Sequence, residues 1–185
     1  FLLGDNTVNT NVEIHEFDDV DYERWFEWWG NGESYFPEQF IGEIFTFEAE
    51  CASRGYDWMN GTDLDASNEA FAVARQNENL TDKDLISEAS YMEVSFKVDS
   101  TSDFLVYGRV NCASKDEDSF FKRMDDEDFK LSSNLVTDGW EWKLLGNYRL
   151  EEGDHTFYLS RRETGAKIDK IAIGSYLYYE PEGIG

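Results

Sequence analysis

The sequence predicts an all-β fold, an antiparallel β-sandwich preceded by an N-terminal extension. Three observations lead there. From Ile44 onward, apolar and polar residues alternate in short runs, as half-buried strands require. Polar loops separate those runs, and no long stretch repeats at the helical period. With 185 residues, 41% hydrophobic and 16% aromatic, the chain can build one proper core and carry an additional segment. The expected division is 1–43 as extension, 44–175 as sandwich and 176–185 as tail or linker.

In the extension, Val12-Glu13-Ile14-His15-Glu16-Phe17 alternates and predicts a strand. Trp25, Trp28 and Trp29 stand at i, i+3 and i+4, which predicts a short amphipathic helix within 18–29, ended by Gly30-Asn31-Gly32. Its aromatics either pack on the sandwich or form a patch for a partner. Packing is the preferred expectation, since an exposed patch of this kind promotes aggregation. In the sandwich, Phe45, Phe47, Ala49 and Cys51 share one strand parity. The next alternating sets are Phe71, Val73 and Arg75; Met92, Val94, Phe96 and Val98; and Phe104, Val106, Gly108 and Val110. Thr81 to Ala89 accommodates one helical turn. Thr156 to Ser160 and Ile168 to Ile173 complete the strands. The tail holds Tyr176, Tyr178 and Tyr179 and reads as a last strand or the start of a linker.

The charge excludes some functions. Forty acidic residues face 16 basic ones, a formal net charge of −24. Nucleic-acid binding needs a basic footprint, and anionic membrane surfaces repel such a chain. No apolar run is long enough to insert into a membrane as a helix. Enzymatic signals are thin. The two histidines, His15 and His155, lie far apart in sequence, and no nucleophile elbow, phosphate loop or zinc spacing is present. The chain is expected not to be an enzyme.

Three carboxylates stand out. On a strand, Glu48 and Glu50 point to one face, roughly 7 Å apart. Asp169 shares the parity of Ile171 and Ile173, so it points where apolar side chains point and needs a counter-charge. One reading pairs these carboxylates with Lys167, Lys170 or Arg54. The other, preferred because lysine is a poor buried partner, places a hard cation among them, Ca²⁺ in the first instance.

These segments also carry a family resemblance. Glu48-Ala49-Glu50 opens it. Phe104-Leu105-Val106-Tyr107-Gly108-Arg109-Val110, Asp118-Ser119-Phe120-Phe121 and Trp140-Glu141-Trp142 follow. Gly153-Asp154-His155-Thr156 and Gly165-Ala166-Lys167-Ile168-Asp169-Lys170-Ile171 close it. Over 44–173 the chain resembles carbohydrate-binding modules of the family 6 and family 35 type, with their galactose-binding-like sandwich. The resemblance implies a jelly roll, non-catalytic glycan binding and a structural calcium. In it, Glu48, Glu50 and Asp169 supply side-chain oxygens, and a backbone carbonyl comes from Ser67, Asn68 or Glu69, with Asn68 preferred. It also implies secretion and a place in a larger polypeptide.

Sugars bind to aromatic rings flanked by polar groups. Trp140 and Trp142 share parity, so either both serve the core or one is a platform. Arg162, Glu163 and Lys167 are the preferred polar candidates, with Asp125 and Asp126 in another loop. Many relatives carry Asn just before the final Ile-Asp, where this chain has Ala166 and Lys167. A lysine there, with Arg162 nearby, suits an acidic sugar. The rival expectation is an extracellular structural or adhesion subunit that uses the sandwich to assemble with identical subunits or neighbouring domains; it requires both tryptophans in the core.

The cysteines, Cys51 and Cys112, share parity with inward residues and read either as two buried free thiols or, in a secreted protein, as one disulfide. Asn60-Gly61-Thr62 and Asn79-Leu80-Thr81 are sequons in polar, loop-like stretches, so Asn60 and Asn79 are possible glycosylation sites.

Overall fold

The computed structural model describes residues 2–3, 7–8, 42–75, 79–175 and 181–183. The chain divides into two units, Phe1–Phe40 and Ile41–Gly185. In the first, β1 (Leu2–Leu3) pairs antiparallel with β2 (Thr7–Val8). The expected strand at 12–17 and helix within 18–29 lie outside the described residues.

The second unit is a pair of antiparallel sheets. Its strands are β3 (Ile44–Glu48), β4 (Ser53–Arg54), β5 (Trp58–Thr62), β6 (Ala70–Ala74), β7 (Tyr91–Val98) and β8 (Ser102–Asn111). They continue as β9 (Phe120–Met124), β10 (Lys130–Ser132), β11 (Glu141–Leu150), β12 (Gly153–Arg161) and β13 (Lys167–Gly174). One sheet has the order β10-β9-β12-β7-β4. The other runs β11-β8-β13-β6-β5, and β3 also pairs with β13. Among the described residues, the helical elements are short 3₁₀ turns, and no helix is long and apolar enough to cross a membrane. The turn expected within 81–89 is Lys83–Leu85, capped by Asp82, whose Oδ1 accepts the Asp84 N–H at 3.1 Å.

The predicted alternation builds the core. Met92, Val94, Phe96 and Val98 on β7 lie opposite Leu159, Phe157, His155 and Gly153 on β12. From the other sheet come Phe104, Val106, Val110, Ile168, Ile171 and Ile173. Gly108 belongs to this inward row: a Cβ there would stand 3.0 Å from Leu145 and 3.2 Å from Ile168, so its absence lets both side chains close over the strand.

Two parity expectations change. On β6 the core face is Ala72 and Ala74, not Phe71 and Val73. Phe71 is buried on the opposite face, where its ring lies across Gly61 of β5; a Cβ at Gly61 would meet that ring at 2.2 Å. The second change concerns Cys51. Strand β3 stops at Glu48, and a 3₁₀ turn over Ala49–Cys51 resets the alternation. Cys51 is therefore exposed while Cys112 is fully buried at the end of the β8 region, and both are free thiols. The disulfide expectation is corrected accordingly: the parity that placed Cys51 inward holds only as long as the strand does.

Candidate functional site

The turn that ends β3 brings Glu48 and Glu50 together by a different route from the one expected. Glu50 sits on the 3₁₀ turn rather than on a continued strand. Across the sheet, the register of β13 against β8 shifts between Ile168 and Lys170, and Asp169 is the residue at that shift. It is fully buried. One ligand atom from each of Glu48, Glu50 and Asp169 lies within 4.8 Å of the others.

A carboxylate so placed must be compensated. The counter-charge to Asp169 is Arg109, on the neighbouring strand β8, whose Nη1 pairs directly with Asp169 Oδ2. Sequence reasoning missed this partner; it weighed Lys167, Lys170 and Arg54. Arg54 donates instead to the carbonyls of Glu50 and Ala49. Lys170 reaches Glu48 Oε1 at 3.3 Å. The signal available was an arginine inside the apolar strand Phe104–Val110, which itself needs a buried acid. The backbone N–H of Ser67 donates to both Asp169 oxygens, at 3.0 and 3.2 Å, and Ser67 Oγ donates to Glu48 Oε1 at 3.0 Å.

Compensation is nevertheless incomplete. Among the described residues, Glu48 Oε2 and Glu50 Oε2 are buried without a hydrogen-bond partner. Burial raises the pKa of Glu50, and the charges of Glu48 and Asp169 add to it, against a hydrogen bond from Asn68. Burial likewise raises that of Asp169, with Glu48 adding to it, although Arg109 and Ser67 oppose the shift. Asn68 and Glu69 adopt left-handed backbone, φ 52° and 58°, in the turn facing this cluster. Oriented carboxylate oxygens left without donors are a donor set suited to a hard cation.

Next to the cluster stands an aromatic group. Trp140, just before β11, is half-buried. Its indole Nε1 donates to Asp63 Oδ2 at 3.1 Å, and its ring lies 5.3 Å from Phe71 and 5.8 Å from the Arg109 guanidinium. Lys167 Nζ lies 5.9 Å from the Phe71 ring. Trp140 and Lys167 are thus brought together through Phe71. Trp142 is also half-buried; it sits opposite Arg109 in the sheet and donates to the Gly183 carbonyl at 3.1 Å. Neither tryptophan joins the hydrophobic core, as the structural-subunit expectation required of both.

Other expected contact residues are engaged elsewhere. Glu163 is buried: one oxygen pairs with Arg162 and the other accepts the Asp118 N–H at 2.8 Å, while Arg162 also donates to Ser119 Oγ at 2.7 Å. These two side chains pin the loop before β9. Asp125 likewise holds β12, accepting from the Thr156 N–H at 2.7 Å and meeting His155 Nδ1 at 2.7 Å. Asn60 is exposed on strand β5 rather than in a loop. Asn79 is exposed in a loop, with its Oδ1 accepting the Thr164 N–H at 3.0 Å.

No protein-family model and no curated protein matches the sequence. Solved structures do match the fold. The chain aligns with a GH26-CBM35 β-(1,4)-mannanase from Podospora anserina at TM-score 0.58 and 14% identity, covering 75% of this chain and 29% of that one. It aligns with a family 35 carbohydrate-binding module from Clostridium thermocellum at TM-score 0.56 and 16% identity, covering 71% and 99%. A C-terminal CBM6 of a marine laminarinase from Zobellia galactanivorans aligns at TM-score 0.54 and 18% identity, covering 71% and 99%. The chain therefore spans under a third of the mannanase but nearly the whole of each isolated module, and its fold is that of the family 35 and family 6 carbohydrate-binding modules.

Proposed function

We propose that this chain is a non-catalytic carbohydrate-binding module stabilised by calcium, acting outside the cell as part of a larger polypeptide. The observation that carries the reading is Trp140, a half-exposed indole braced by Asp63 and Phe71 on a sandwich shared with such modules. A ring held in this way offers a flat apolar face for the C–H side of a sugar at little entropic cost. Lys167, beside Phe71, supplies a positive charge on a strongly acidic protein and favours a sugar bearing a carboxylate.

Glu48, Glu50 and Asp169 would hold the calcium, with a carbonyl of the Asn68 turn as a further oxygen. The ion supplies the positive charge that three converging carboxylates lack. Chain residues do the remainder: Arg109 and Ser67 orient Asp169, and Lys170 and Ser67 orient Glu48.

The test is a glycan array followed by calorimetry in calcium, with neutral and uronic-acid oligosaccharides as arms. Trp140→Ala should remove binding while the melting temperature stays within a few degrees. Affinity should fall in the micromolar to millimolar range, about −8 to −4 kcal/mol. An array without hits, or full binding by Trp140→Ala, defeats the carbohydrate reading. Chelation should lower the melting temperature, and Asp169→Ala should abolish that response; equal melting in calcium and chelator defeats the calcium reading.

A further inference from the structure

We propose that the loop of residues 63–69 couples cation occupancy of the carboxylate cluster to the set of the Trp140 ring, making glycan affinity at that ring calcium-dependent. The inference rests on the reading of the cluster as a cation site and of Trp140 as the platform. The loop joins β5 to β6, and Asp63, Asp65 and Ser67, at alternate positions, are each tied to a different part of the site. Asp63 Oδ2 accepts the Trp140 indole N–H at 3.1 Å. The Asp65 carbonyl accepts from Arg109 Nη2 at 3.1 Å. The Ser67 N–H and Oγ donate to Asp169 and Glu48.

Short bonds within the loop make these ties act together. Asp63 Oδ1 accepts the Asp65 N–H at 3.1 Å, the Asp63 carbonyl accepts the Ala66 N–H at 3.1 Å, and the Asp63 N–H donates to the Glu69 carbonyl at 3.2 Å. Ala66 and Ser67 are buried, so the segment shifts as a unit or hardly at all. Arg109 provides a second path: it holds Asp169 with one guanidinium nitrogen and the Asp65 carbonyl with the other, 5.8 Å from the Trp140 ring.

The differential between the two states is electrostatic. Without a cation, Glu48, Glu50 and Asp169 repel one another, and two of their buried oxygens have no donor among the described residues. Moving apart relieves this but displaces Ser67, which is bonded to two of the three. With a cation the carboxylates converge, Ser67 is fixed, and Asp63 is fixed with it. A ligand that prefers one arrangement of Trp140 then binds more tightly when the cation is present, and by linkage the converse holds.

The experiment measures acrylamide quenching of Trp140 in calcium and in excess chelator. Acrylamide is neutral, so the −24 charge does not exclude it. Five other tryptophans contribute, so the Trp140 share is wild type minus Trp140→Phe. Calcium should lower quenching of Trp140 and slow amide exchange across 63–69. Asp63→Ala, which leaves the carboxylates and Arg109 intact, should keep its calcium-dependent rise in melting temperature but lose the Trp140 response. With a bound glycan, calcium should raise wild-type affinity about 5-fold or more, and Asp63→Ala should bring that ratio to about one. The proposal is overturned if calcium raises the melting temperature without changing Trp140 quenching and loop exchange, or if Asp63→Ala responds like wild type. Should Asp63→Ala fail to fold, the wild-type quenching and exchange decide alone. An array without hits would defeat the carbohydrate reading and leave the quenching result standing; equal melting with and without calcium would defeat the calcium reading and this proposal with it.

Discussion

Replacing Arg109 by Met isolates the buried charge at the centre of this site. Asp169 is fully buried and the Arg109 side chain is 7% exposed, so water replaces little of what the substitution removes. Breaking one side of a buried pair costs about 3–5 kcal/mol, because the remaining charge is stranded. The Asp65 carbonyl also loses its donor, worth about 1 kcal/mol. For a chain of this size each kcal/mol moves the melting temperature by roughly 2–4 °C, so the two costs together predict a fall of roughly 8–24 °C. The assay is urea unfolding followed by circular dichroism, in excess chelator, so that no cation substitutes for the guanidinium. The mechanism has a second signature. Arg109→Met/Asp169→Asn removes the stranded charge and should recover at least about 2 kcal/mol of the loss. An Arg109→Met protein within about 1 kcal/mol of wild type refutes the reasoning, as does a double variant no more stable than the single.

Two further outcomes concern the cysteines and His155. A thiol reagent should titrate Cys51 in the native protein and both cysteines only after unfolding without reductant, since Cys112 is fully buried and burial pushes its pKa up to about 12; no reactive thiol in the unfolded, unreduced chain would restore the disulfide. His155 meets acceptors at both ring nitrogens, Asp125 Oδ2 at 2.7 Å and the Glu151 carbonyl at 2.8 Å, an arrangement that only the imidazolium satisfies. Burial works against its charge, but the Asp125 and Glu151 hydrogen bonds and the Asp125 and Asp154 charges prevail, so its pKa is raised. A raised native pKa gives stability that is fully present below the unfolded value, about 6.5, and lost as pH rises through the native one. The stability difference between wild type and His155→Gln should therefore be largest in mild acid and shrink in mild alkali; a difference independent of pH counts against the imidazolium.

Much of the sandwich was legible because a strand's side chains alternate with period two regardless of what lies beyond it. Met92 to Val98 and Phe104 to Val110 read inward from sequence and are inward. That rule fails where the strand fails: at the 3₁₀ turn after Glu48, which exposed Cys51, and on β6, where alanines face the core and Phe71 does not. Short edge strands such as β4 and β10, two and three residues long, carry too few residues to show any period.

By itself the sequence determined the chain's all-β class and its acidity, because composition and local periodicity need no partner to be defined; it picked out Glu48, Glu50 and Asp169, but by a strand parity that Glu50 does not keep. Tertiary structure alone decided who compensates Asp169, which tryptophan is braced half-exposed beside the cluster and what the polar loop residues do. Arg109 lies 60 residues from Asp169 in sequence, and Asp63 lies 77 from Trp140. Pairings of that kind exist only once the register of β8, β11 and β13 is set. The energies that matter at the site, desolvation and hydrogen bonding of buried charge, are properties of those pairings rather than of the residues taken one at a time.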